Sequence, residues 1–338
     1  MPDRVGARGS GISVSRLRRL AGVAVVAVGA LVSPQGAAPQ AGAAGQPQGA
    51  AVAESDLERA GGGRTVSLGL RESGGRAVSV PLEVYVARVI AGEGEPTAPA
   101  ATQQALAIAI RTYATVYARR HASEGFGLCD TTHCQVFRTS TPASRHAALT
   151  TAGRVLTYNG VPAEVFYSAS CGGHSERASY VWPGIEYPYL QAVEDDVHGE
   201  DEPWTLDLTL RGIQQALASA GVTGARLTGF EIESRNESGR VAAVRLPGLR
   251  PDSMAGAAFR MAVGPSTLRS TAFTVERRGD TIRFTGLGYG HGVGMCVIGA
   301  GRRARRGETV DDILHAYYPG LRLAVLDAAA PGGLRLED

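Results

Sequence analysis

Apolar positions recur at helical spacing between Pro81 and Arg120. Leu82, Val86, Val89 and Ile90 form one stripe after a proline suited to a first helical turn, and Leu106, Ile110, Tyr113 and Tyr117 form a second. The spacing predicts two helices, the first running out near Gly92 and the second capped by Thr97, with Arg111 and Arg119 away from the buried stripe. Glu93 and Glu95 fall in the elbow between them. A carboxyl group held between two packed helices is partly dried, and drying moves its pKa upward, toward the range of a general acid. The alternative for either glutamate is a solvated loop acid.

Elsewhere the period shortens to that of strands. RTVSLGL and RAVSVPL bracket a Glu72-Ser73-Gly74-Gly75 turn and predict a hairpin leading into the first helix. The extended segment CQVFRT precedes a small helix around Ala143 to Ala152. RVLTYNG and AEVFYSAS then flank Asn159-Gly160, a hairpin turn signal. Residues 208 to 220 read as a helix, and hairpins turn at Asn236 to Gly239 and at Gly279-Asp280. Strands and helices mix without repeat, heptad or strict βαβ alternation. The pattern predicts an α+β fold with mixed short strands and helices, and an inserted subdomain around residues 205 to 285.

The N-terminus differs in kind. Arg16, Arg18 and Arg19 precede the apolar run LAGVAVVAVGALV, which is short for a bilayer span and is followed by small residues, Pro and Gln. Residues 1 to 48 therefore read as a signal peptide and the start of a linker, with an uncleaved anchor as the alternative, and either places the protein outside the cytoplasm. Low-complexity sequence continues through 49 to 63, a folded domain is expected over 64 to 328, and 329 to 338 form a tail. With 44% hydrophobic residues the chain can bury a sizeable core, and a formal charge of +2 gives no argument for a nucleic-acid partner. Membrane contact is expected only if the N-terminal segment stays uncleaved.

Three constellations carry chemistry. In GLGYGHGVGM, glycines at alternate positions flank Tyr289 and His291, so Gly290 and Gly292 admit a ligand or a second backbone; the alternative is a packed bulge with a satisfied histidine. His121, Cys129, His133 and Cys134 lie close in sequence, and Cys171 and His174 lie together further on. Imidazoles with thiolates suit a tetrahedral structural Zn²⁺, whereas cysteines in an oxidising compartment suit a disulfide, and both readings stand. Cys296 reads as a small buried residue. The acidic run at 193 to 204 reads as a solvated loop, with weak calcium binding as the alternative. Trp182, Tyr187, Tyr189 and Trp204 flank it, with ring faces suited to sugars or to a core.

Taken in order, VIAGE at 89 to 93, AIRTYA, FYSASCGG, VW, PYL, GLGYGHGVGM and YYPG at 317 to 320 resemble the stage II sporulation protein D family (SpoIID/LytB domain) over about residues 78 to 325. The resemblance implies a secreted lytic transglycosylase that cleaves peptidoglycan glycan strands between N-acetylmuramic acid and N-acetylglucosamine and leaves a 1,6-anhydro end. It places the catalytic glutamate on Glu93, with no cofactor required for the chemistry. Tyr289, Gly290, His291, Gly292 and Arg111 are expected to form the glycan-binding site, Arg111 by steadying the elbow. Some relatives hold zinc with a His, a Cys and a His-Cys pair, which His121, Cys129, His133 and Cys134 match in order. Other relatives enhance cell-wall amidases, so a glycan-binding partner of an amidase is the alternative function. The chain departs from the family at Gly94-Glu95-Pro96, where Met-Pro is usual after the glutamate, and at Cys296 to Ala300, where Ser-Gln-Trp-Gly-Ala is usual.

Overall fold

A computed structural model describes residues 51–74, 76–195, 202–327 and 333–337. The expected signal segment, residues 196–201 of the acidic run, Gly75 of the first turn and half of the C-terminal tail lie outside the described residues. Among the described residues no helix is long and apolar enough to cross a membrane.

The elements follow in chain order. They are α1 (Glu54–Ala60), β1 (Thr65–Leu70), β2 (Arg76–Pro81), α2 (Leu82–Glu93), α3 (Ala100–Val116), β3 (Leu128–Cys129), α4 (Pro142–Thr150), β4 (Arg154–Tyr158), β5 (Val161–Pro162), β6 (Tyr167–Ser168) and α5 (Ala178–Val181). The segment inserted next holds β7 (Trp204–Thr209), α6 (Leu210–Ala218), β8 (Glu231–Arg235), β9 (Val241–Arg245), β10 (Ser253–Ala255), α7 (Gly256–Val263), β11 (Phe273–Arg278) and β12 (Thr281–Gly286). The chain closes with β13 (Met295–Cys296), α8 (Val297–Arg305), α9 (Val310–Tyr317), β14 (Arg322–Leu326) and β15 (Leu334–Leu336). Short sheets and helices of this mixture make an α+β fold.

Helix α3 is the axis of the main core. Every residue from Ala105 to Ala114 is buried, so the helix is enclosed on all sides by α2, α4, α8, α9 and β4. Its alanines let those neighbours come close. Arg111 belongs to this buried set, against the expectation that it faces away from the stripe. It is 0% exposed and forks onto Glu83 of α2, with its Nε 2.9 Å from one carboxylate oxygen, while Gly153 N–H donates to the same carboxylate. The guanidinium also donates to the Arg154 carbonyl at 2.9 Å, so one buried ion pair ties α2 and α3 to the start of β4.

Two further expectations are corrected. Thr97 is exposed and does not cap α3, whose N-cap is Pro99 with φ −54° and ψ 154°. A proline at 99 disfavours helical backbone at Ala98, so the helix cannot begin earlier. The stretch from 51 to 63, expected to be linker, contains α1. Leu57 is 0% exposed and Glu54 pairs with Arg88 of α2 at 3.0 Å, which is enough to dock a two-turn helix despite its polar composition.

The strands form small sheets in the orders β2-β1-β3, β15-β14-β4-β5 and β13-β6, the last pair parallel. Asn159 and Gly160 both adopt positive φ, as the tight turn between β4 and β5 requires. Sheets β11-β12-β7 and β10-β9-β8 with α6 and α7 enclose a second apolar core, from Trp204 to Phe284.

Candidate active site

Glu93 is the last residue of α2. The segment after Cys134 passes so close to this helix end that a Cβ on Gly92 would stand 2.0 Å from the Val136 carbonyl oxygen. Val136 N–H instead donates to the Glu93 carboxylate at 2.7 Å, and Arg138 N–H donates to the Arg88 carbonyl at 3.1 Å. Two backbone donors of CQVFRT, those of Val136 and Arg138, thus go to α2, while those of Cys134 and Phe137 go to the Thr131 and Asp130 carbonyls of the preceding loop instead of to a sheet. Burial raises the Glu93 pKa, opposed by the Val136 hydrogen bond and the Arg138 charge. The side chain is half-buried, so it is dried on one side and reachable on the other.

Gln135, adjacent to that donor, bridges two buried phenols. It accepts from the Tyr85 hydroxyl at 2.8 Å and its amide nitrogen lies 2.8 Å from the Tyr167 hydroxyl. Glu93 is close enough to add to the upward pKa shifts of Tyr85, Tyr113 and Tyr167, each caused first by burial. From Tyr113 a ribbon of rings continues through Tyr117 at 4.5 Å, and further along it Phe166 and Trp182 pack at 4.5 Å. Trp182 then meets His291 edge-on at 4.8 Å. Of the other expected sugar-facing rings, Tyr187 stacks on a buried Tyr189 at 5.1 Å, whereas Trp204 lies in the second core and donates to the Gly288 carbonyl.

Tyr167 also links the two stretches that the sequence singled out, because its backbone bonds the His291 ring while its ring reaches toward Glu93. His291 is not presented to a ligand as expected. Its Nδ1 accepts from Val293 N–H at 3.0 Å and its other nitrogen is taken by the Tyr167 backbone. Burial, with Arg260 and Arg240 nearby, lowers its pKa to about 3. The glycine pattern around it reflects close packing: a Cβ on Gly290 would lie 2.8 Å from that of Ser168, and one on Gly292 would lie 2.4 Å from the Arg240 guanidinium. Tyr289 is the exposed member of the stretch, at 43%. Arg111 lies inside the core, so its position does not bring it to a ligand surface.

A neutral, half-buried imidazole makes stability depend on pH. Unfolded histidine takes up a proton near pH ~6.5, and folded His291 does so only near 3. Its contribution is complete above the unfolded value and is lost as pH falls through the window between the two. Thermal melts from pH 7 downward are expected to show a shallower acid decline for His291→Asn than for the parent protein. Equal slopes would remove this role for His291.

Sequence periodicity missed Glu83, Gln135, Tyr167 and the Val136 donor. Polar residues inside apolar runs, Glu83 between Leu82 and Val84 above all, were the available signal.

His121, Cys129, His133 and Cys134 come together beside this region. Their donor atoms all lie within 4.8 Å of one another, with His121 Nε2 3.2 Å from Cys134 Sγ and His133 Nδ1 3.6 Å from Cys129 Sγ. Tetrahedral Zn²⁺ with nitrogen and sulfur ligands needs donor separations of about this size. His121 also places Nδ1 2.6 Å from Glu124, which fixes Nε2 as the free donor, an arrangement common behind metal-bound imidazoles. The donor set fits. Cys171 and His174 do not join it: Cys171 lies with Asp195 and Cys296, and His174 Nδ1 bonds the Ser175 carbonyl.

A family model described as stage II sporulation protein matches residues 72–158. That span holds Glu93, the Glu83–Arg111 pair and the cysteine-histidine cluster. Stage II sporulation protein D of Bacillus subtilis is 30% identical over 270 residues, covering 74% of this chain and 76% of that protein. A protein of Brachyspira hyodysenteriae is 29% identical over 71% of this chain and 66% of its own length. The amidase enhancer of Bacillus subtilis is 28% identical over 65% of this chain and 37% of its own length.

Proposed function

Because the chain belongs to the stage II sporulation protein D family and so has a cell-wall-related role, we propose that it is an exported peptidoglycan lytic transglycosylase with Glu93 as its acid and base. The observation that carries this reading is one half-buried carboxyl, raised in pKa by burial, bonded by the Val136 N–H and close enough for its charge to act on the phenols of Tyr85, Tyr113 and Tyr167. Protonated Glu93 donates to the glycosidic oxygen as the bond to the muramic C1 breaks. The resulting carboxylate is held by Val136 N–H and the Arg138 charge, and it then accepts the C6 hydroxyl proton as that oxygen closes on C1. One carboxyl serves both steps because the nucleophile belongs to the sugar; a hydrolase would require a second acid for water. Tyr117 and Trp182, the partly exposed rings of the ribbon, offer flat apolar faces to sugars.

Incubating the purified protein with intact and peptide-stripped peptidoglycan tests this by mass spectrometry of released fragments. Anhydro-muropeptides are expected from the protein alone. The similarity to an amidase enhancer favours a second reading, a non-catalytic glycan binder that stimulates a cell-wall amidase. In that case no anhydro ends form, and product appears only when an amidase is added.

In this reading His121, Cys129, His133 and Cys134 hold a structural Zn²⁺. Bound there, the ion would supply a cross-link at the root of the segment that carries Gln135 and Val136 to Glu93. Metal analysis is expected to give one zinc per chain. Chelation is expected to lower the Tm by on the order of 10 °C, and Cys134→Ser to do so without chelator. An unchanged melt in a zinc-free sample would remove the metal role.

A further inference from the structure

We propose that Cys171 and Cys296 form a buried disulfide that staples the turn after β6 to the start of α8. Both residues are buried, at 3% and 2% exposure, and their sulfurs lie within 4.8 Å of each other. The backbones are already neighbours. Ser168 and Cys296 are register partners in the β6-β13 pair, Ile298 N–H donates to the Ala169 carbonyl at 3.1 Å, and Cys171 N–H donates to the Cys296 sulfur at 3.2 Å. Closing to an S–S bond of ~2.05 Å asks for side-chain rotation without separating strands.

The surroundings favour a bridge over a metal. Among the described residues one carboxylate stands by these two sulfurs, that of Asp195, which accepts from the Cys171 thiol at 3.4 Å and from the Tyr317 hydroxyl at 2.8 Å. Among the described residues no imidazole joins them, and three donors leave a tetrahedral ion one short. The Cys171 thiol is also held far above the ordinary range by its bond to Cys296, by burial and by Asp195, which disfavours the thiolate a metal needs. For the same reason the bond forms before the core closes. A thiolate of the unfolded chain attacks a disulfide-bearing oxidant, such as glutathione disulfide, and expels one thiolate. The second cysteine then displaces the other half. Two thiol protons and two electrons leave the protein, and the oxidant departs as two thiols.

The loop so closed spans 125 residues and contains the whole second core, so the bridge joins the places where that segment leaves and rejoins the main core. It also fixes the carbonyl of Cys171, to which Arg240 of the inserted segment donates.

The test is to refold the full chain from denaturant in an oxidised-reduced glutathione buffer containing zinc, quench with alkylating agent under denaturing conditions, and map peptides. The expected result is two alkylated cysteines of four before reduction, with one cross-linked peptide pair carrying Cys171 and Cys296. Cys296→Ser is expected to lose that pair and to lower the Tm by about 5–10 °C under oxidising conditions, with a smaller difference after reduction. Four alkylated cysteines, a bridge between Cys129 and Cys134 with Cys171 and Cys296 both alkylated, or a second zinc per chain released by Cys296→Ser would each overturn the proposal.

Discussion

Glu93→Gln is expected to reduce the yield of anhydro-muropeptides at least about 100-fold while leaving the fold intact, since removing a general acid-base group typically costs that much or more. The amide keeps the size of the carboxyl and an oxygen that can still accept from Val136 N–H, so the melt should move little. It cannot give or take the proton that the reaction moves. In the parent protein, activity is expected to fall as pH rises through the raised Glu93 pKa, because only the protonated carboxyl can serve the leaving oxygen. A variant with unchanged yield and an unchanged pH profile would dismiss Glu93 and turn attention to the amidase-binding reading.

Arg111→Met is expected to be the most damaging single change to the fold, at about 3–5 kcal/mol, because it leaves the Glu83 carboxylate buried without its counter-charge. Against a total stability of about 5–15 kcal/mol, the variant should unfold at markedly lower urea or be recovered insoluble. Combining it with Glu83→Gln removes both charges and is expected to restore much of the loss. If the double variant is as unstable as the sum of its parts, or if Arg111→Met melts like the parent, the pair does not hold α2, α3 and β4 together as described. The same experiment separates a structural arginine from one that binds glycan, since a binding role would weaken substrate affinity without moving the melt.

Helical spacing around Glu93 was sufficient to place two helices and the acid between them, because an apolar stripe of that period buries well in one way only. It misled at Arg111. A helix enclosed on every side has no outward face, and the alanines that reveal such close packing look like neutral spacers in a sequence. At His291 the glycine pattern marked a real constraint, but its cause was Arg240 and Ser168 arriving from elsewhere in the chain, which left the ring bonded to backbone. The cluster at His121, Cys129, His133 and Cys134 was visible as a set, and the exclusion of Cys171 and His174 needed coordinates.

The chain by itself determined the α+β character, the elbow acid, the hairpin turns and the grouping of the first cysteines with histidines. All of these arise from residues within about two turns or one loop of each other. Tertiary structure alone decided which polar groups are dried and by what they are matched: Glu83 with Arg111, Glu93 with Val136, Cys171 with Cys296. Burial and the partner of a buried charge depend on segments tens of residues apart, and local spacing carries no record of which distant segment will arrive.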